Sequence, residues 1–360
     1  MPKVLTEEEV GARIEEMRRR PQRFRDGRIT MAHGAGGKAS RALVEGLVVP
    51  LLGDRAPATL SDAAELTVDG TRLAFTTDSF VVRPLSFPGG TIGELAVNGT
   101  VNDLAVSGAR PLAVSLAMIL EEGLPAEALE EQVRAIGAAA SAAGVPVATG
   151  DTKVVERGKC DGMYLTTTGV GVLRADASLA PERVRPGDKV LVSGTIGDHG
   201  VAIMLARGGL DLEAEVRSDT RSLWPVVHAL LDACGPEAHC LRDATRGGVA
   251  TVLNEIAAAA EVGVLVAEDR LPVRPEVTGA CEILGIDPLY VANEGKLVAF
   301  VAPEVADAAL EAMRGVEAGA DAAVIGEVRD EPPGRVLGRT AFGGHRIIDV
   351  LVGDPLPRIC

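Results

Sequence analysis

Aromatic residues are scarce in this chain. Tryptophan, tyrosine and phenylalanine make up 2% of its 360 residues, although 47% of the residues are hydrophobic. The core must therefore consist mainly of alanine, valine, leucine and isoleucine that pack closely against one another. A chain of this length corresponds to about two to three domains, and each domain is then large enough to fold without disulfide bridges.

An excess of basic residues is also missing. The 51 acidic residues outnumber the 36 lysines and arginines, which gives a formal net charge of −15. This balance argues against a surface that binds the phosphate backbone of nucleic acids. A nucleotide would have to be bound through loops or a metal ion.

Long hydrophobic runs are absent as well. The longest, Pro111–Leu120, is half of the roughly 20 residues that a membrane-spanning helix needs. The N-terminal segment has no apolar core, and Arg18–Arg20 is followed by further charge, so no export signal is predicted. We expect a cytoplasmic protein that binds neither a membrane nor a nucleic acid.

Cysteines are few, and none of them are in a CxxC motif. The five, at positions 160, 234, 240, 281 and 360, form an odd and sparse set that is typical of a reducing cytoplasm, with one thiol left for chemistry. Cys234, His239 and Cys240 could supply metal ligands, but this spacing is a weak signal. The segment is better interpreted as a loop that follows a helix at residues 222–233.

Strand-like and helix-like patterns alternate along the chain, which favours two α/β domains. The pattern predicts strands near residues 73–77, 112–120, 145–149 and 164–172, with helices at 92–107 and 125–143 between them. A similar alternation begins at residue 189. We expect a helical extension at 1–28, domains at 29–178 and 179–345, and a C-terminal arm at 346–360.

The arm ends on a cysteine. Gly353–Pro357 contains two prolines, which lack an N–H group, so the segment can be neither a helix interior nor a central strand. A frayed terminus that happens to stop at cysteine is one interpretation. We favour a mobile arm that carries a substrate on the Cys360 thiol.

A glycine-rich segment, His33-Gly34-Ala35-Gly36-Gly37-Lys38, precedes the first domain's strands. Its backbone N–H groups could converge on an anion, to which Lys38 would add charge. The spacing of a phosphate-binding GxxxxGK[ST] loop is absent, and a flexible linker explains the segment equally well.

Three acids, Asp78, Asp103 and Asp151, are predicted on separate segments that follow strands or lie in a helix. Carboxylate oxygens of this kind hold magnesium bound to nucleotide phosphates, although Asp78 could equally cap a helix. Asn102 and Asp103 interrupt an otherwise apolar helical pattern and should face inward or a cleft. Lys153, close to Asp151, could stabilise a transferring phosphoryl group.

The second half contributes three further polar segments, at residues 193–200, 242–248 and 292–296. Glycine-rich turns that open helices are suited to anions. Glu294 precedes a predicted strand and could act as a general base.

Together these segments resemble the HypE family of hydrogenase maturation factors, carbamoyl dehydratases of the PurM-like (aminoimidazole-ribonucleotide-synthetase-like) superfamily. The resemblance extends from about Ile29 to Cys360, and its most specific part is the tail Asp354–Cys360. Superfamily kinases and synthetases share the acid segments and lack this tail. The other matching segments are His33–Gly37, Thr76–Ser79, Asn102–Gly108, Gly150–Val155, Gly194–Gly200, Arg242–Gly248 and Ala292–Leu297.

The resemblance implies a two-domain α/β fold with mixed sheets flanked by helices, a homodimer formed through the first domains, and ATP with Mg²⁺ as cofactors. Asp78, Asp103 and Asp151 would hold the metal. The residues implied in nucleotide binding are these three acids with His33, Gly34, Gly36, Gly37, Lys38, Asn102 and Thr152.

The resemblance also implies the reaction. A carbamoyltransferase, HypF, would place a carboxamide on Cys360, which this protein would dehydrate to a thiocyanate with ATP. Lys153 and Glu294 would act in this step, and either could be the base. The nitrile would pass to iron on the HypC–HypD complex, for [NiFe]-hydrogenase. Two alternatives stay open: another ATP-dependent small-molecule kinase or synthetase, which needs no Cys360, and a thiol carrier without ATP hydrolysis.

Overall fold

The computed structural model describes residues 23–57, 60–208, 215–350 and 358–360. The chain divides into two compact units, residues 1–60 with 352–357 and residues 61–351 with 358–360. Most of the predicted N-terminal extension and residues 351–357 of the predicted arm lie outside the described residues. No helix in the described ranges is long and apolar enough to cross a bilayer.

The first unit is helical in its described part. A 3₁₀ turn at Met31–Gly34 leads into α1 (Lys38–Leu43), a π-helical turn (Val44–Val48) and α2 (Val49–Leu52). Gly36 has a φ of 77°, which glycine adopts without steric cost. Its N–H group donates to Ser40 Oγ at 2.9 Å, so the glycine-rich segment forms the turn that leads into α1.

The second unit begins with a five-stranded sheet. Its order is β1-β2-β7-β5-β6, with β5 and β6 parallel and the other neighbours antiparallel. Two helices, α3 (Ile92–Val106) and α4 (Ala126–Ala143), belong to this part. The strands, including a small separate ribbon of β3 and β4, are β1 (Ala64–Val68), β2 (Thr71–Phe80), β3 (Ser86–Phe87), β4 (Gly90–Thr91), β5 (Ala109–Glu121), β6 (Val147–Val155) and β7 (Met163–Leu173).

Helix α3 covers one face of this first sheet. Thr167 on β7 lies 2.5 Å from Thr100 Oγ1 and donates to the carbonyl of Ala96, both on α3. The opposite face, here named the open face, is different. Four of its large apolar side chains are between 39% and 53% exposed: Leu66, Val68, Phe75 and Ile119.

The second sheet has seven strands in the order β14-β13-β10-β12-β8-β11-β9. Apolar clusters line both of its faces, one with α7 and the other with α6 and α9. Its strands are β8 (Lys189–Val192), β9 (Ala238–Asp243), β10 (Gly263–Ala267), β11 (Leu297–Val301), β12 (Ala323–Arg329), β13 (Arg335–Arg339) and β14 (His345–Ile348). The helices are α5 (Asp198–Ala206), α6 (Trp224–Cys234), α7 (Gly248–Ala260), α8 (Pro275–Leu284) and α9 (Ala306–Arg314).

The mixed α/β architecture confirms the predicted fold class, but two segments differ from the prediction. The segment after α6 was predicted to be a loop and is instead the buried strand β9. The predicted strand at 145–149 continues as β6 through Val155, so Gly150–Lys153 do not form a loop. Because β6 is an edge strand paired only with β5, its polar side chains can stay in solvent.

The weak metal signal at Cys234, His239 and Cys240 finds no counterpart in the described ranges, where no group of three His, Cys, Asp or Glu could hold a metal ion. Both cysteines are buried thiols. His239 Nδ1 lies 2.7 Å from Asp188 Oδ2, which gives the ring a structural partner.

Candidate active site

Five acidic side chains of the second unit converge on one region, here named the acidic cluster. Asp62 precedes β1, Asp78 lies on β2, Asp103 on α3, Asp243 at the end of β9 and Glu294 before β11. The carboxylates of Asp62, Asp78 and Asp243 all act on Asp103, and those of Asp78 and Asp243 act on Glu294. Strand ends from both sheets therefore build the region, as in other α/β sites.

Burial and mutual repulsion favour the protonated carboxyl groups of this cluster. Burial, reinforced by the neighbouring acids, raises the pKa of Asp103 and Glu294 well above their usual values. Burial with repulsion from Asp62 raises the pKa of Asp243 to about 8. These carboxyl groups therefore bind protons more tightly than solvent-exposed ones do.

Thr76 supports this view of Asp103. Its hydroxyl oxygen lies 2.8 Å from Asp103 Oδ2 and 2.7 Å from the carbonyl oxygen of Asp62. A hydroxyl group has only one hydrogen to donate. A protonated Asp103 can supply the hydrogen for the second contact.

Two arginines bring positive charge to the cluster. Arg242 contacts Asp62 directly. The pKa of Arg246 is raised, first by Cys360 and then by Asp78 and Glu294, although burial opposes this. Arg246 therefore links the acidic cluster to the end of the tail.

The backbone around Glu294 is fixed from two sides. Asp219 accepts hydrogen bonds from the N–H groups of Glu294 at 3.0 Å and Gly295 at 3.3 Å, and from Lys296 Nζ at 3.0 Å. A Cβ atom on Gly295 would lie 2.0 Å from the Asp219 carbonyl oxygen, so only glycine fits. Within the described residues, Glu294 Oε1 is buried without a hydrogen-bond partner. The backbone of the turn is fixed by hydrogen bonds, while Oε1 of the Glu294 carboxyl group is left to bond a ligand or a proton.

Asn102, predicted to bind nucleotide, belongs to this support. Its side-chain nitrogen donates to the carbonyl oxygens of Arg221 at 3.0 Å and Glu294 at 3.1 Å. Its Oδ1 accepts from the N–H group of Leu223 at 2.7 Å. The side chain is 1% exposed, so its amide faces inward, as predicted, but cross-links α3 to the Glu294 turn and does not line an open cleft.

Asp151, Thr152 and Lys153 lie elsewhere on the sheet. The pairing register aligns Asp78 with Thr167, Leu116 and Gly150 across β7, β5 and β6. Since side chains alternate along a strand, Asp151 and Lys153 project from the open face, opposite to Asp78. Three strand spacings, about 14 Å, also separate β2 from β6.

On the open face Asp151 and Lys153 form an exposed ion pair. Lys153 Nζ lies 2.7 Å and 2.9 Å from the two carboxylate oxygens. Hydrogen bonds from Lys153, and then from the Thr152 N–H group, lower the pKa of Asp151. One chain therefore unites Asp78, Asp103 and Glu294 and leaves Asp151 and Lys153 on the other side of the sheet.

In the first unit, His33 is held by its own segment. Its Nδ1 accepts from the Thr30 N–H group at 2.9 Å, and its Nε2 lies 2.9 Å from Asp26 Oδ2. Gly37 precedes α1, and Lys38 is the first residue of that helix. A nucleotide contact by His33, Gly34, Gly36, Gly37 or Lys38 stays a prediction.

The end of the tail is docked inward. The N–H group of Val81, just after β2, donates to the backbone oxygen of Cys360 at 3.1 Å, and Ile359 is buried. Val81 lies three residues beyond Asp78 on the chain. The docked tail therefore brings Cys360 to the neighbourhood of the acidic cluster and Arg246.

Sequence reasoning missed Asp62, Asp219, Asp243 and Arg246 as site residues. Asp243 and Arg246 lie in the segment 242–248, which was selected for its glycines; an acid directly after an apolar strand was the available signal. Asp62 and Asp219 are single acids in irregular segments, and no local pattern distinguishes them.

Comparison with known proteins identifies the family of the chain. Residues 60–173 match the N-terminal domain of AIR synthase related proteins, and residues 185–338 match the C-terminal domain. The chain is 53% identical over 340 residues to carbamoyl dehydratase HypE of Rhodobacter capsulatus, covering 94% of this chain and 99% of that relative.

Solved structures give the same answer. A HypE–HypF complex matches with a TM-score of 0.81 at 45% identity, covering 86% of this chain and 100% of that chain. A HypE structure in complex with ATP matches with a TM-score of 0.78 at 47% identity, covering 92% of this chain and 100% of that chain. The resemblance seen in the motifs is confirmed, and the chain belongs to the HypE family of carbamoyl dehydratases, among the AIR synthase related proteins.

Proposed function

We propose that this protein uses ATP to dehydrate a carboxamide on the Cys360 thiol to a thiocyanate, which becomes the cyanide ligand of [NiFe]-hydrogenase. The observation that carries the proposal is the docked tail. Cys360 accepts a hydrogen bond from Val81 and acts electrostatically on Arg246, which also senses Asp78 and Glu294. A substrate on this sulfur would lie beside a base and a cationic side chain.

The acidic cluster is suited to magnesium and nucleotide phosphates. No three acids of the described ranges could hold an ion by themselves, but Mg²⁺ commonly takes one or two carboxylates and completes its shell with phosphates and water. We assign this role to Asp78 and Asp103, with Asp62 and Asp243 beside them and Asp151 as the third predicted ligand. A bound magnesium ion would neutralise phosphate charge. The ATP complex of a relative supports ATP as the nucleotide.

The proposed chemistry removes one water in two steps. The carboxamide oxygen attacks the γ-phosphate of ATP, which releases ADP and leaves phosphate on that oxygen. Loss of the nitrogen-bound protons then expels inorganic phosphate and forms the S–C≡N triple bond. Positioning and charge stabilisation carry most of such a phosphoryl transfer.

We assign the proton transfer of the second step to Glu294. Burial and the neighbouring acids raise its pKa, which makes its carboxylate a stronger base than an exposed one. Arg246 or a bound cation would lower this pKa and so favour the ionised form that accepts the proton. Lys153 is the other candidate base, or it stabilises the charge that develops near the γ-phosphate.

A homodimer would bring the open face into the same site. Leu66, Phe75 and Ile119 expose large apolar surfaces there, and Ile119 pairs with Lys153 of the exposed ion pair. We propose that a second copy covers this face, so that Asp151 and Lys153 lie at the interface near the nucleotide. HypF, seen with a relative in a complex, is the proposed loading partner, and the HypC–HypD complex is the proposed acceptor.

Intact-protein mass spectrometry tests the proposal. After incubation with HypF, carbamoyl phosphate and ATP, the chain should gain the mass of a carboxamide and then lose the mass of water. The Glu294→Gln variant should stop at the carboxamide, and the Cys360→Ala variant should gain nothing. Loss of water without ATP, or loading of the Cys360→Ala variant, contradicts the proposal.

A further inference from the structure

The last three residues are held chiefly through their backbone. Arg207 donates to the Arg358 carbonyl oxygen, His199 Nε2 lies 2.8 Å from the Ile359 carbonyl oxygen, and the Val81 N–H group donates to the backbone oxygen of Cys360 at 3.1 Å. Every described residue of the tail thus has a backbone oxygen bound by a separate donor. Such contacts recognise the path of the chain and not the chemistry at the sulfur.

His199 is set in advance for this contact. A carbonyl oxygen only accepts hydrogen bonds, so Nε2 must carry the hydrogen. Nδ1 lies 2.8 Å from Ser218 Oγ, whose hydroxyl group can donate to it and so fix this tautomer. The ring is fully buried, and its orientation does not depend on the tail alone.

The side chains of Arg358 and Ile359 are also bound by the rest of the protein. The Arg358 guanidinium donates to the Val81 carbonyl oxygen at 3.0 Å and 3.2 Å and contacts Asp161. Ile359 is 3% exposed. A charged group and an apolar group next to each other give the tail a selective signature.

The docked conformation is also one that a free peptide seldom adopts. Arg358 has a φ of 55°, in the left-handed region that L-residues other than asparagine, aspartate and glycine rarely enter. The surrounding contacts must hold the residue there. The docked tail is therefore a bound state that can be released, and not simply the continuation of the chain.

From these contacts we infer that Arg207, His199 and Asp161, with the backbone of Val81, form a receptor for the sequence Arg-Ile-Cys that positions Cys360 by binding the chain. The receptor would also bind this sequence as a separate peptide. The inference rests on the proposed function, in which Cys360 carries the substrate. Because the contacts use carbonyl oxygens and Arg358, a group attached to the sulfur leaves them intact.

Alkylation of the full chain gives the first test. Cys360 is half-buried and the other four cysteines are buried, so iodoacetamide labelling followed by mass spectrometry reports on Cys360. Arg207→Ala, Asp161→Ala and His199→Leu should each speed labelling roughly tenfold, the effect of one lost hydrogen bond with a charged or buried partner. His199→Gln keeps a donor and should stay near the wild-type rate. Arg134→Ala, an exposed arginine that pairs with Glu130, is the matched control.

Peptide binding gives the second test. In a full-chain Ile359→Asp variant the tail should dissociate from the receptor, because a charged side chain replaces a buried apolar one, while every receptor residue is unchanged. A fluorescent peptide Asp-Pro-Leu-Pro-Arg-Ile-Ser should then bind by anisotropy, and the same peptide with glutamate for arginine should bind at least tenfold more weakly. Adding Asp161→Ala should weaken the first peptide and spare the second.

The two assays need no ATP or carboxamide, so they separate this inference from the proposed function. Unchanged labelling in all three receptor variants, or a peptide that binds no better than its glutamate version, overturns the receptor. If His199→Leu fails to fold by circular dichroism, the surface variant Asp161→Ala decides. If the labelling and peptide-binding results are as expected but the protein does not dehydrate the carboxamide, only the proposed function is overturned.

Discussion

The two faces of the first sheet carry acids in opposite states. On the face covered by α3, burial raises the pKa of Asp78 and Asp103. On the open face Asp151 is exposed and its pKa is lowered, chiefly by Lys153. The covered acids favour their protonated forms, whereas Asp151 is paired with the counter-charge of Lys153.

This difference separates the residues of the proposed site that one chain brings together from those that it does not. Asp78, Asp103 and Glu294 share one region with the docked Cys360, and both sheets support it. Asp151 and Lys153 project from the open face beside Ile119, and Phe75 is exposed on the same face three strands away. The open face has exposed apolar side chains among the described residues, and it is the face where we expect a second copy of the chain.

The largest expected effect comes from Glu294, on the covered side. Glu294→Gln keeps the size of the side chain and removes a base, so dehydration should slow by about 10²-fold to 10⁴-fold while loading of Cys360 continues. Quenched time courses with mass spectrometry measure both steps, and Glu304→Gln, at a surface turn, is the control. If Glu294→Gln dehydrates normally and Lys153→Ala stalls, the base is Lys153.

The second effect concerns the open face. Phe75→Asp places a charge on a side chain that is 44% exposed, so the fold should persist. In a two-fold symmetric dimer each substitution acts twice, and losing burial of two phenylalanines should weaken association about a hundredfold or more. Sedimentation velocity should show monomers.

Dehydration should fall with the dimer, because Asp151 and Lys153 would lose their place beside the nucleotide. Ile283→Asp, on α8 with a side chain 63% exposed, is the control for added charge. A Phe75→Asp protein that stays dimeric shows that the open face is not the interface.

The helices next to the site were well predicted from sequence. Residues 92–107 gave α3 at Ile92–Val106, because a long apolar pattern ends at Gly108, whose φ of 81° few other residues adopt. Asp103 lies in this helix as predicted, whereas Asp78, predicted to follow a strand at 73–77, lies within β2. In α3 the apolar pattern of the sequence coincides with the residues that are buried in the fold.

The sequence was insufficient where the position of a segment depends on its partners in the fold. β9 reads Ala-His-Cys-Leu-Arg-Asp, which lacks alternation because both of its faces are buried. The face on which Asp151 and Lys153 lie depends on the register between β5 and β6, which no single segment encodes. Asp219 supports the Glu294 turn through hydrogen bonds from residues 75 to 77 positions away.

The third effect is a pH dependence on the covered side. The pKa of Asp243 is raised from 3.8 to about 8, so between these values the folded protein holds a proton that the unfolded chain releases. Its contribution therefore lowers the free energy of unfolding as pH rises, by up to about 1.4 kcal/mol per unit. Urea unfolding at pH 6, 7 and 8 with EDTA measures the slope, which Asp243→Asn should reduce. An unchanged slope in that variant contradicts the shift.

The smallest effect contrasts the two faces directly. Asp103→Asn removes a carboxyl group whose pKa burial and three neighbouring acids raise, so at pH 8 without magnesium it should increase the melting temperature. Asp151→Asn removes an exposed partner of Lys153, and exposed pairs contribute little to stability, so its melting temperature should stay at the wild-type value. Differential scanning calorimetry in EDTA compares the two. With ATP and magnesium present the gain in Asp103→Asn should shrink, because the wild-type cluster then holds a cation. A loss of stability in Asp103→Asn under EDTA would show that its carboxyl group is bonded more strongly than it is repelled.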